Sequence, residues 1–107
     1  MEKFDEKLYL VDMYRDPYYP DFLVDKIKGL IVEVVDYLET GERDMDQIQA
    51  KFDVMTIGIN DLEEEFGENG SEIETVARDS IGQTVIDILK HYQIDIDVEE
   101  AIRERDW

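Results

Sequence analysis

Apolar residues recur at helical spacing along most of this chain, and they are densest over residues 21–38. There Leu23, Ile27, Leu30, Val34 and Leu38 fall on one stripe, while Val24, Ile31 and Val35 widen it beyond what a single neighbouring helix would cover. The spacing predicts a central helix packed on several sides. Upstream, Phe4, Leu8, Val11 and Met13 repeat near helical spacing, with Tyr9, Leu10 and Tyr14 adding bulk on a second side, and predict a first helix over residues 4–14. It ends at Asp16-Pro17, because proline disfavours helical geometry in the residue before it. Tyr18-Tyr19-Pro20 then reads as an extended aromatic link, with Pro20 suited to the first turn of the central helix.

Thr40-Gly41 closes the central helix, since glycine takes the left-handed conformation that ends a helix. Asp44 and Gln47 have the spacing of a capping box and open a third helix. Its Met45, Ile48, Phe52, Met55, Ile59, Leu62 and Phe66 alternate steps of three and four in a heptad seam, leaving Val54 and Ile57 off the seam for a third element or a partner. The turn Gly67-Glu68-Asn69-Gly70 tolerates positive φ, and Ser71 with Glu74 reads as a second capping box. The helix it starts runs through Ile73, Val76, Ala77, Ile81, Val85, Ile88, Leu89 and Tyr92, interrupted only by Gly82. Asp97 with Glu100 caps a last short helix, and Trp107 contributes most if it folds back onto the body. No strand-like alternation is long enough to matter. The expected architecture is all-α: a single helical domain over residues 1–107, a bundle of three long antiparallel helices with two short flanking ones.

Composition sharpens this in two ways. An apolar share of 43% is that of a folded chain despite 37% charged residues. With 29 acidic against 11 basic residues the net charge is -18, which repels nucleic-acid phosphate and anionic lipid and favours cations or basic proteins as partners. No nucleic acid and no membrane are expected among its partners. Cysteine is absent, which excludes disulfides, thiolate zinc sites and cysteine nucleophiles and sits easily with a cytoplasmic protein. The charged start, Met1-Glu2-Lys3-Phe4-Asp5-Glu6-Lys7, lacks the apolar run of a signal peptide.

Several segments together resemble a small bacterial family. They are Met13-Tyr14 with Asp16, Tyr18-Tyr19-Pro20, Leu23-Val24-Asp25-Lys26, Asp61-Leu62-Glu63, the stretch from Gly70-Ser71 to Ala77-Arg78, and the ending Arg105-Asp106-Trp107. The family is the one numbered 5713 among the domains of unknown function. The resemblance implies a compact bacterial protein without an assigned activity, so it brings no catalytic residues.

Candidate chemistry is sparse. His91 lies four residues after Asp87, so a helix would put two weak candidate metal ligands on one face. Di-metal bundles place a glutamate three residues before a histidine on each of two helices; here that position is Ile88 and no second histidine exists, which favours an ordinary histidine near a helix end. Asp61, Glu63, Glu64, Glu65, Glu68, Glu72 and Glu74 crowd the turn between the third and fourth helices, but without the spacing of a calcium loop, so a solvated acidic face is the reading. No nucleophile elbow or phosphate loop is present, and no cofactor is expected. Tyr14, Tyr18 and Tyr19 are either a plug over one end of the core or, being flanked by acids, interface anchors.

The reading these features favour is a non-enzymatic acidic module that binds a basic partner protein, steered by charge and held by Tyr18 and Tyr19, with Glu64 and Glu68 on the rim. An immunity-like or toxin-neutralising role fits by analogy with acidic blockers of cationic clefts. Two alternatives stand beside it. One is a small metal-dependent or carboxylate-using enzyme centred on Asp87, His91 and residues 63–74. The other is a homodimer subunit sealed through Val54 and Ile57, so that both monomer and homodimer are open.

Overall fold

The computed structural model describes residues 2–107, which form a bundle 39 × 25 × 19 Å. A 3-10 turn at Glu6–Leu8 precedes five α-helices: α1 Val11–Arg15, α2 Asp21–Glu39, α3 Met45–Glu68, α4 Thr75–His91 and α5 Val98–Ala101. Three of these are long and, among the described residues, no strand is present. The helical bundle expected from the spacing is the observed class.

Helix α2 is central for the reason its stripe gives. Leu23, Val24, Ile27, Ile31, Val34, Val35 and Leu38 are all buried. It lies antiparallel to α3: Lys26 near its start reaches Glu65 near the end of α3, and the helices cross where a methyl group on Gly58 would stand 2.9 Å from Leu30 Cδ2. Along α3, Ile48, Phe52, Met55, Ile59 and Phe66 are buried as the seam requires, whereas Leu62 is half-buried and Met45 exposed. Helix α4 returns beside α2, ending where Tyr92 meets Glu39 and Arg43. Its closest backbone neighbours are α1 and α5 rather than α3.

The first predicted helix breaks in two. Leu10 takes the left-handed conformation at φ 49, between the 3-10 turn and α1. A continuous helix cannot bury the adjacent Tyr9 and Leu10 along with Phe4 and Met13, and all four are buried while Leu8 is exposed. Fixed contacts hold the break: Leu10 N–H donates to Thr84 Oγ1 at 3.0 Å, and Phe4 N–H to the Tyr92 hydroxyl at 3.1 Å. Tertiary bonds here override helical spacing.

The caps divide similarly. Asp44 Oδ1 accepts from the N–H groups of Asp46 and Gln47 as expected, but the Asp44 N–H donates to Glu42 Oε1, so Glu42 fills the reciprocal place expected of Gln47. Pro20 stands one residue before α2 rather than within its first turn, and its carbonyl accepts from Leu23 and Val24. Ser71 is no cap. Its N–H donates to the Phe66 carbonyl at 2.9 Å and that of Gly70 to Gly67, the paired bonds that close α3 with Gly70 at φ 72. Helix α4 consequently starts four residues later, at Thr75. Asp97 precedes α5 without a side-chain cap, and Glu100 turns instead to Arg103.

Candidate functional site

The aromatic link is a turn, not an extended strand. Asp16 accepts from Tyr18 N–H through Oδ1 at 2.9 Å and from Tyr19 N–H through its carbonyl at 3.1 Å, with Pro17 supplying the fixed φ between them. The turn sends its tyrosines apart. Tyr19 is 3% exposed and sits edge-on to Phe66, ring centres 6.5 Å apart. Burial raises its hydroxyl above the ordinary tyrosine value, opposed by the Ala77 backbone N–H. Tyr19 thus offers no surface to a partner, contrary to the expectation, and serves to seat Tyr18 edge-on at 5.1 Å. Tyr18 is 39% exposed, and its hydroxyl donates to Glu74 Oε1 at 3.3 Å. Tyr14 donates to Asp25 at 2.6 Å and covers the core beside them.

This end of the bundle carries more exposed apolar surface than the sequence reading assigned to it. Phe22, one turn on from Tyr18, is 50% exposed, and Val76 in the first turn of α4 is 42% exposed. At the same end of the bundle, in the last turns of α3 and the loop after it, Glu64, Glu68 and Glu72 are exposed and without an ion pair among the described residues. Glu65 is the exception, bound by Lys26 at 2.7 Å. The same lysine lies 5.9 Å from the centre of the Phe22 ring. Aromatic rings set among unpaired carboxylates suit contact with basic, partly apolar surface.

Asp87 and His91 are not brought to a common site. Asp87 accepts from Gln83 Nε2 at 2.9 Å, while His91 Nε2 meets the carbonyl of Glu2 and its ring stands edge-on to Phe4 and Tyr92. Among the described residues no group of three or more His, Asp or Glu side chains is placed to hold a metal.

A polar strip along α3 escaped the sequence reading. Gln49, Asp53, Asn60 and Glu63 repeat at helical spacing beside the apolar seam, and α5 with the tail 104–107 lies on them. Gln49 Nε2 donates to the carbonyl of Glu100 at 3.0 Å, and Arg103 grips Asp53 with Nη2 at 2.8 Å and Nε at 3.2 Å. Asn60 donates to the Glu104 carbonyl at 2.8 Å and accepts from Asp106 N–H at 3.1 Å. Burial opposes the charge on Asp53, yet hydrogen bonds from Arg103 and Gln49 hold its carboxyl below the ordinary value. Glu63 goes the other way: burial, with the Asp106 carboxyl beside it, pushes it up to about 7. Trp107 ends the strip folded back and 8% exposed. The signal was a second, polar stripe at helical spacing, which resembles a solvated face until something docks on it.

Two adjoining hollows, about 500 Å³ and about 380 Å³, share Ile86 and Val98 between α4 and the segment leading into α5. Their rims mix signs, Arg78, Lys90 and Arg105 against Asp79, Asp95, Asp97 and Glu99, whereas at the tyrosine end Lys26 is taken up by Glu65 and the acids Glu64, Glu68 and Glu72 are left without an ion pair among the described residues. No helix among the described residues is long and apolar enough to cross a membrane. In comparison with known proteins, residues 3–107 match the model of a family of unknown function (DUF5713). No curated protein and no solved structure matches the chain.

Proposed function

We propose, for a chain that belongs to the DUF5713 family of unknown function, a non-enzymatic role: an acidic module that binds a basic partner protein through the end bearing Tyr18. The carrying observation is the coincidence of exposed Tyr18, Phe22 and Val76 with the unpaired carboxylates of Glu64, Glu68 and Glu72. Carboxylates of one sign raise the encounter rate with a cationic surface, and aromatic rings slow its departure once water is excluded. A toxin-neutralising or immunity-like role is the form this reading takes by analogy, since an acidic helical domain suits a cationic cleft.

The experiment is capture at low salt on the immobilised protein from a lysate of the native organism, followed by kinetics with the purified partner. A basic partner is expected, with Glu64→Lys and Glu68→Lys lowering the association rate and Tyr18→Ala or Phe22→Ala raising the dissociation rate. Binding indifferent to salt and to all four substitutions defeats the proposal. A homodimer is the second reading, favoured by Val54 at 62% and Ile57 at 47% exposure on α3. Sedimentation of Val54→Glu against the parent chain decides it: a dimer through this face becomes monomeric, and an unchanged monomer discards it.

A further inference from the structure

Between α4 and α5 the chain runs extended and leaves its backbone open. Gln93, at φ 57, turns it out of α4, and Asp97, at φ -70 and ψ 143, leads it into α5. In this stretch the N–H groups of Asp95, Ile96 and Asp97 and the carbonyls of Ile94, Asp95 and Ile96 bond to no other backbone group among the described residues. Burial alternates along it: Ile94 is 7% exposed, Ile96 and Val98 are half-buried, and Asp95 and Asp97 between them are exposed. That is the period of a strand with one face turned inward. Its apolar residues, with Ile86 and Leu89 of α4, wall the larger of the two hollows, about 500 Å³. Asp95 and Asp97 hold no ion pair among the described residues, and Lys90 is the one cation lining the hollow with them.

An open extended edge beside an apolar hollow is completed by another extended chain, which bonds main chain to main chain and sends alternate side chains to opposite faces. A helix uses its own N–H and C=O groups internally and would leave the edge unpaired. Side chains two residues apart in an extended chain lie about 6.5–7 Å apart on one face, so basic residues at every second position match Asp95 and Asp97 and turn the residues between them toward the hollow. We propose that residues 94–98 are a docking edge for an extended segment of a protein in which basic and aliphatic residues alternate. The segment pairs along the open backbone, sets its aliphatic side chains against Ile86 and Leu89, and lays its basic ones on Asp95 and Asp97. This site lies at the end of α4, away from Tyr18, and stands whether or not the tyrosine end binds a partner.

The probe is a dye-labelled, acetylated and amidated hexapeptide, Lys-Leu-Lys-Leu-Lys-Leu, titrated by fluorescence anisotropy at about 0.15 M salt, where attraction to the net charge of -18 is screened beyond about 8 Å. It should bind. The same peptide methylated at every amide nitrogen keeps its charges and side chains but has no main-chain donors, and should bind at least about tenfold more weakly. Asp95→Asn with Asp97→Asn should weaken the parent peptide about fivefold or more, while Glu64→Gln with Glu68→Gln, at the other end of the bundle, should change it less than about twofold. All four residues are exposed, and unchanged helical circular dichroism checks that both variants fold. No binding of the parent peptide, equal binding of its methylated form, or an Asp95 and Asp97 pair no more sensitive than the Glu64 and Glu68 pair each overturns the proposal.

Discussion

Thr84 Oγ1 accepts the amide hydrogen of Leu10 at 3.0 Å and donates its own proton to the Ser80 carbonyl at 2.9 Å. Leu10 is fully buried in a left-handed conformation, where no helical carbonyl is in line for its N–H, so Thr84 is what makes the break between the 3-10 turn and α1 tolerable. Thr84→Val keeps the shape and removes the acceptor. Urea denaturation should show a loss of about 1–3 kcal/mol, the cost of leaving a buried amide unsatisfied. A midpoint equal to that of the parent chain would mean water replaces the hydroxyl.

Gln93 follows α4 at φ 57, with its N–H bonded to Lys90 and that of Ile94 to Leu89, the arrangement that ends α3 with a glycine. A side chain in this conformation is strained, and Gln93 is exposed, so nothing else depends on its amide group. Gln93→Gly should raise stability by about 0.5–1 kcal/mol after the extra freedom glycine brings to the unfolded chain is subtracted. Thermal melts of the two proteins check it, and a lower melting temperature for the glycine variant contradicts it.

Ser71 has its Oγ buried without a hydrogen-bond partner. A serine capping a helix loses about 0.5–2 kcal/mol on replacement by alanine. Here the hydroxyl satisfies nothing, so Ser71→Ala should change the denaturation midpoint by less than about 0.5 kcal/mol or stabilise the fold. Phe52→Ala, which empties a fully buried place on the α3 seam, should cost about 3–5 kcal/mol in the same assay.

The buried tyrosines set an upper pH limit. Tyr92 is pushed up to about 12 by burial and by its bond to Glu39, and burial raises Tyr9 further. An acid whose folded value lies above its unfolded one stabilises the fold fully below the unfolded value, near 10, and loses that contribution as pH climbs through the folded one. Stability should therefore fall between about pH 10 and about pH 12, by about 2 kcal/mol for Tyr92 alone. Phenolate absorbance should rise in step with the loss of helical signal. Free ionisation of every tyrosine while the helices persist would place these hydroxyls in water.

The long helices were legible because each buries a broad stripe, and a stripe of Leu, Ile, Val and Phe at helical spacing has few other ways to leave water. What escaped were positions where one tertiary bond outweighs spacing. Leu10 breaks a readable helix in order to reach Thr84, and Ser71 spends its amide on closing α3 and cannot also start α4. The site was half legible. Acids around Tyr18 could be counted, but the inward turn of Tyr19 depends on its meeting Phe66, and Phe22 lies off the buried stripe of α2. The polar strip Gln49, Asp53, Asn60 and Glu63 had the spacing of a solvated face, and only the docked tail distinguishes the two.

The fastening of the N-terminal segment to α4 also orders events during synthesis. Leu10 waits for Thr84, which is 74 residues away, and Phe4 for Tyr92, 88 residues away. At translation rates of about 5–20 residues per second, the first of these partners emerges roughly 4–15 s after the residue that needs it. The α2–α3 hairpin is complete well before then, with local contacts that close quickly. During that interval Phe4, Tyr9, Leu10 and Met13 have α2 to lie against but lack the α4 side of their place in the core. The first part of the chain to leave the ribosome is among the last to be seated, and a transcript cut short within α4 yields a nascent chain whose leading end is a sticky apolar thread.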